Sequence, residues 1–161
     1  MGADLLITNA TYLDVVTGEY RHGDIAVNAG VIRQIGDALD RPGHPNFDAS
    51  GKYVLPGFID CHVHVTAVTA DLAALPEYSP TYVALGAARS MGDMLDRGFT
   101  TVRDAAGADF GLHDAQAEGL LRGPKLFFAG KALSQTGGHA DARSRGRHPS
   151  TCSSSTTPSS P

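Results

Sequence analysis

The run Val54-Leu55-Pro56-Gly57-Phe58-Ile59-Asp60-Cys61-His62-Val63-His64 decides how the rest of the chain is read. A Pro-Gly turn introduces an apolar segment that closes on two histidines one residue apart. In a β-strand alternate side chains share a face. Asp60, His62 and His64 are therefore expected to project together, with Ile59, Cys61 and Val63 facing away. Two neutral imidazoles side by side at a strand end suit a transition metal such as zinc. Two ordinary histidines on an edge strand share the same spacing, so spacing alone leaves both readings open.

Outward from this run, bulk properties set the bounds. A chain of 161 residues with 42% hydrophobic content can bury a core, but a closed (β/α)8 barrel takes about 250 residues. The net charge of -4 and pI near 5.9 give no electrostatic case for nucleic acid or an anionic membrane surface. No apolar run nears the roughly 20 residues of a membrane-spanning helix. The first residues lack a basic stretch followed by an apolar one, so no secretory signal is read there. Gly2 is not followed by the Ser or Thr at position 6 that myristoylation needs. Cys61 and Cys152 are far apart in sequence and form no disulfide framework, so the expected compartment is the reducing cytoplasm.

Before the His pair, Leu5–Ala10, Thr11–Asp14, Asp24–Asn28 and Val31–Gly36 read as short strands with turn punctuation, a small antiparallel sheet. Residues 37–52 read as a loop and 66–79 as another. Ser79-Pro80 is a helix start, with Ser as N-cap and Pro at the first helical position. From there Tyr82, Leu85, Ala88, Met91 and Leu95 recur at helical spacing and are expected to form the core-facing stripe, with Gly98 as the stop. Phe99–Asp104 reads as a second strand, Asp109–Leu121 as a second helix and Lys125–Gly130 as a third strand. Alternating strands and helices build a parallel sheet, so the fold class is α/β. In the last stretch, 144–161, 13 of 18 residues are Ser, Thr or Pro. Such a segment cannot bury enough apolar surface to offset its ordering entropy, and disorder is expected.

The run from Val54 to His64 closely resembles the first-strand signature of the amidohydrolase superfamily, a group of metal-dependent hydrolases. Gly98–Asp104 resembles that family's Gly-X-Thr-Thr-Val-Arg-Asp run. Ser134-Gln135-Thr136-Gly137-Gly138-His139 is similar to a loop after strand three in the imidazolonepropionase-like and dipeptidase-like branch. The resemblance implies three domains: 1–54 as part of a small β-sandwich, 55–141 as about the first three strands of a TIM barrel, and 142–161 as a disordered tail. It makes His62 and His64 the strand-one ligands of a divalent metal, zinc first, with one or two metals in a complete homologue. Asp60, Arg103, Asp104 and His139 become candidates for orienting the ligands or touching substrate; for Arg103 and Asp104 the alternative is an ion pair that orients the next loop.

Parts the family uses later are not found. Lys52, Lys125 and Lys131 do not stand where the metal-bridging lysine of strand four would, and His22, His44, His113, His139 and His148 do not reproduce the histidines of strands five and six. The catalytic aspartate of strand eight is likewise missing, so no catalytic residue is assigned. The implied reaction is attack of a metal-activated water on an amide, peptide or cyclic-amide C–N bond of a small substrate. The sequence further reads as truncated or frame-shifted near 142–144, with a natural short protein carrying a flexible tail as the competing reading. A truncated chain is expected to be inactive alone and to be unstable, aggregation-prone or dependent on a partner. The alternative is a non-catalytic metal-binding or interaction fragment. A homo-oligomer is compatible with either.

Overall fold

The computed structural model describes residues 4–40, 43, 45–136, 138 and 141. The chain divides into two compact units at Gly57/Phe58; the sequence expectation draws that boundary at 54/55.

The first unit is a five-stranded sheet. Its strands are β1 (Leu5–Asp14), β2 (Glu19–Asn28), β3 (Val31–Gly36), β4 (Asn46–Asp48) and β5 (Tyr53–Val54). β1 pairs antiparallel with β2, and β2 with β3, as the turn-punctuated alternation predicts. Two features depart from that reading. Leu5–Ala10 and Thr11–Asp14 are one strand bent at a bulge between Ile7 and Ala10, where Asn9 takes φ 56°. Residues 37–52 are not all loop: Asn46–Asp48 pairs parallel with Leu6–Thr8, and β5 also runs parallel to β1, so the sheet is mixed. Three residues flanked by Pro45 and Ala49 carry too short a pattern to show alternation, which is why this strand is invisible in the sequence. Ala10, Ile25 and Ala49 form the buried centre, joined by Ile7, Tyr12, Val27 and Val54.

The bent strand is held by a buried carboxylate. Asp24, only 8% exposed, accepts the Asn9 N–H on Oδ1 and the Leu39 N–H on Oδ2, both at 2.9 Å. A buried acid is tolerated because both oxygens are hydrogen-bonded.

The second unit is a three-stranded sheet in the order β6-β7-β8, where β6 is Phe58–Val63, β7 Phe99–Asp104 and β8 Lys125–Phe128. Both pairings are parallel. Helix α1 (Pro80–Asp96) connects β6 to β7 and α2 (Phe110–Ala117) connects β7 to β8, while a 3-10 turn, Leu72–Glu77, lies in the segment before α1. This strand-helix alternation is the α/β arrangement read from the sequence.

The helix start is as expected, Ser79 at the N-cap position with Pro80 first in the helix, although the Ser79 side chain makes no capping bond; its carbonyl accepts the first intrahelical N–H, that of Val83, at 3.0 Å. The buried stripe shares Met91 with the expected one but is rotated from it. Ala87 and Met91 are the buried residues of α1, with Met94 packed against the same core, whereas Tyr82 and Leu85 are 59% and 68% exposed. Both stripes have helical spacing, and residue size pointed to the wrong one. Small residues, Gly86 against Val68 and Ala87 against the sheet, are what let the helix sit close.

α2 is shorter than Asp109–Leu121. Asp109 caps it, Oδ1 accepting the Gly111 and Leu112 N–H groups at 3.0 and 3.4 Å. The helix ends at Ala117 because Gly119 takes φ 76°, the left-handed conformation that terminates helices. The core of this unit is Val63, Val65, Ala87, Met91, Val102, Ala108 and Leu126.

Candidate metal centre

The site lies where β6 ends, and an irregularity there decides where the histidines go. Between the pairs Asp60↔Val102 and Val63↔Asp104, three steps along β6 face two along β7. The extra residue is a bulge over Cys61-His62. Asp60 supports it: its Oδ1 accepts the His62 main-chain N–H at 3.0 Å. Strict alternation through Asp60, His62 and His64 is therefore interrupted, and the Asp60 carboxylate serves the backbone of His62. The two rings nevertheless meet, with centroids 5.3 Å apart and planes at 81°.

That spacing fits a shared metal. Zinc–imidazole bonds of about 2.0–2.1 Å place each ring centre roughly 3.2 Å from the ion, and a tetrahedral angle then separates the centres by about 5.2 Å. His64 is also oriented for the purpose. Its Nδ1 lies 3.0 Å from the Ala106 carbonyl oxygen. A carbonyl can only accept, so Nδ1 carries the proton and Nε2 keeps a lone pair that can be donated to a metal.

The loops after the strands are stitched together beneath the rings. Asp104 is fully buried. Its Oδ2 accepts the Val65 N–H at 2.7 Å and its Oδ1 accepts the Ala108 N–H at 3.1 Å. Main-chain bonds continue the seam: Ala105 N–H to the Val63 carbonyl, Ala129 N–H to that of Asp104, and Gly107 N–H to that of Gly130, at 2.9, 3.1 and 2.9 Å. Gly107 has φ 117°, and a Cβ there would lie 2.1 Å from Thr66 Oγ1. Only glycine suits both the conformation and the approach.

Arg103 and Asp104 do not pair with each other. Neighbours on a strand point to opposite faces; Asp104 goes into the core, and Arg103 Nη1 makes a long 3.5 Å contact to the Cys61 carbonyl on the exposed side. His139 lies outside the described residues, as does the expected disordered tail at 142–161.

Of the other histidines, His22 Nδ1 is 3.1 Å from Thr11 Oγ1 in the first unit. His113 donates from Nδ1 to the Leu126 carbonyl at 2.7 Å, tying α2 to β8. Among the described residues, no group of three or more His, Cys, Asp or Glu is placed to hold a metal. The donor set is thus two imidazoles, a fitting part of a coordination sphere. Sequence reasoning missed the Ala106 carbonyl and the Val65 and Ala108 N–H groups, because main-chain atoms carry no residue signature. The available signal was a small-residue run, Ala105-Ala106-Gly107-Ala108, directly after a strand-end aspartate.

Residues 53–156 match the amidohydrolase family, a span that includes β6, β7, β8 and the paired histidines. This chain belongs to the amidohydrolase family. Members of this family are generally metal-dependent hydrolases. The match runs beyond Asp141, where the sequence reading expects the family character to stop.

An adenine deaminase of Listeria welshimeri is 34% identical over 118 residues, 73% of this chain and 19% of that protein. An N-acyl-D-aspartate deacylase of Alcaligenes xylosoxydans xylosoxydans is 44% identical over 78 residues, 48% of this chain and 15% of its own length. Among solved structures, a prolidase complexed with N-methylphosphonate-L-proline has a TM-score of 0.87 at 40% identity, covering 94% of this chain and 38% of that one. The amidohydrolase segment described here therefore spans less than two fifths of each of these relatives. Among the described residues no helix is long and apolar enough to cross a membrane.

Proposed function

We propose that this chain supplies the first two metal ligands of a hydrolase that cleaves C–N bonds in small amide substrates, dipeptides foremost. The observation that carries the reading is the His62–His64 pair, 5.3 Å between centroids, with the His64 Nδ1–H committed to Ala106. The likeness to the prolidase, at 40% identity across 94% of the chain, favours a peptide or imide bond. The adenine deaminase and the deacylase widen the class to other C–N bonds.

A divalent metal, zinc by preference, would supply Lewis-acid polarisation of the carbonyl and bring the pKa of a bound water towards about 7. The chain's own part is to hold the two imidazoles aimed and close. Asp60 fixes the bulge that sets the His62 backbone, and the Ala106 carbonyl fixes the His64 tautomer. Further ligands, and an acid to protonate the leaving nitrogen, belong to sequence outside the described residues. β6, β7 and β8 are on this reading the first strands of a (β/α)8 barrel, and the sheet of the first unit is part of a small β-sandwich.

A second reading, a metal-binding fragment without turnover, is favoured by the lack of a third ligand among the described residues. Zinc titration by calorimetry, followed by hydrolysis assays on Xaa-Pro dipeptides, separates the two. Binding that is lost in His62→Ala and His64→Ala supports the metal centre. Zinc-stimulated turnover supports the hydrolase in this chain, and binding without turnover supports the fragment. Zinc affinity unaltered in the double variant would overturn both.

A further inference from the structure

We propose that Asp104 is a positioning residue for His64: its buried carboxylate holds the two backbone segments that together fix where the imidazole points. The inference deepens the metal-centre reading and rests on His64 being a ligand.

His64 is held from two sides. One is its own backbone, which continues directly into Val65. The other is the Ala106 carbonyl, which receives the ring's Nδ1 proton at 3.0 Å. Asp104 controls both. Oδ2 takes the Val65 N–H at 2.7 Å, one residue beyond the histidine, and Oδ1 takes the Ala108 N–H at 3.1 Å, two residues beyond the carbonyl. One carboxylate therefore sets the distance between a ring and its acceptor, although it touches neither. Asp104 is 0% exposed, so substrate contact is not its role.

The bond at 2.7 Å is short for an N–H donor, as charge-assisted bonds are. An amide in its place keeps the shape but turns one of the two acceptors into a donor facing an N–H. One backbone segment must then let go, and with it the fixed ring. Groups that orient metal-bound histidines typically change metal affinity 10–100-fold when removed. Asp104 acts one step further back, through the main chain.

The test uses the full chain labelled with 13C and 15N, metal-free and then titrated with Zn2+ alone, at about pH 8. Ring-nitrogen NMR reads the His64 tautomer directly. In the wild type Nδ1 is expected to carry the proton. In Asp104→Asn the ring is expected to become a mixture of tautomers and zinc affinity to fall about 10-fold or more. Asp24→Asn is the control. That acid is also buried and also bonds two main-chain N–H groups, but in the first unit, so it should leave the His64 tautomer and zinc affinity unchanged.

A folded Asp104→Asn with both properties intact overturns the proposal, as does an Asp24→Asn that shifts them equally. If Asp104→Asn does not fold, the wild type still decides: a coupling from Nδ1–H to the Ala106 carbonyl supports the arrangement, and an Nε2–H tautomer refutes it. Should the wild type bind no zinc while the tautomer still responds to Asp104→Asn, the metal reading fails and the positioning of the ring stands.

Discussion

The rotated stripe of α1 makes a quantitative prediction. Met91 and Leu85 both lie on the stripe read from the sequence, yet Met91 is fully buried and Leu85 is 68% exposed. Truncating a buried methionine to alanine costs about 2–5 kcal/mol, depending on how far the cavity collapses. Here collapse is restricted: a Cβ on Gly123 would lie 2.8 Å from Met91 Cβ and 3.1 Å from its Cε, so backbone already lies against the side chain. Met91→Ala should then fall at about 3–4 kcal/mol, a hundredfold or more in the folding constant of this unit. Leu85 has about a third of its surface covered, and full burial is worth about 1.5–3 kcal/mol, so Leu85→Ala should cost only about 0.5–1 kcal/mol.

The chain has no tryptophan, so unfolding is best followed by far-UV circular dichroism in urea. Native-state hydrogen exchange of the β7 amides adds a reading confined to this unit. Equal losses for the two variants, or a larger loss for Leu85→Ala, would refute the assigned helix face.

Two further predictions concern the first unit and the loop seam. Asp48 is held down to about 2, first by the hydrogen bond from the Asn9 side chain and then by those from Ser50. A lowered carboxylate pKa means its contribution is present above the ordinary value of 3.8 and is lost as pH falls from there towards 2. Asn9→Ala should move the Asp48 carboxyl-carbon titration up towards 3.8; an unmoved midpoint would discount the Asn9 bond as its main cause. Gly107→Ala combines a φ of 117° with a Cβ 2.1 Å from Thr66 Oγ1 and should cost at least about 1–3 kcal/mol. Adding Thr66→Ala removes the nearest clash but not the backbone strain. Thermal melts should therefore show partial recovery, and complete recovery would mean the backbone is not strained.

How much of this was readable in the residues depends on the scale of the signal. β6, β7, β8 and α1 stood out because each carries several residues in period. The three residues of β4 do not, and they pair with Leu6–Thr8 of β1, about forty residues away in sequence. The face of α1 was misread because hydrophobic size outvoted the glycine and alanine that actually permit contact. His62 and His64 were legible as a pair, but not the bulge between Asp60 and Val63, which depends on pairing to a strand some forty residues away. Asp104 was legible as a strand-end acid. Its role was not, since Val65 and Ala108 take part through atoms that every residue possesses.

The seam under the rings has a bearing on how such a site diversifies. His64 leans on a carbonyl, and Asp104 on two amide N–H groups. At Val65, Ala106 and Ala108 these bonds ask nothing of the side chain, beyond excluding proline where an N–H is needed. Val65 and Ala108 are nevertheless held in the core by their side chains, so of the three Ala106 is the position where the side chain can be exchanged without moving His64. Residue 106 can therefore vary while the paired histidines keep their geometry, provided Asp104 and Gly107 are left alone.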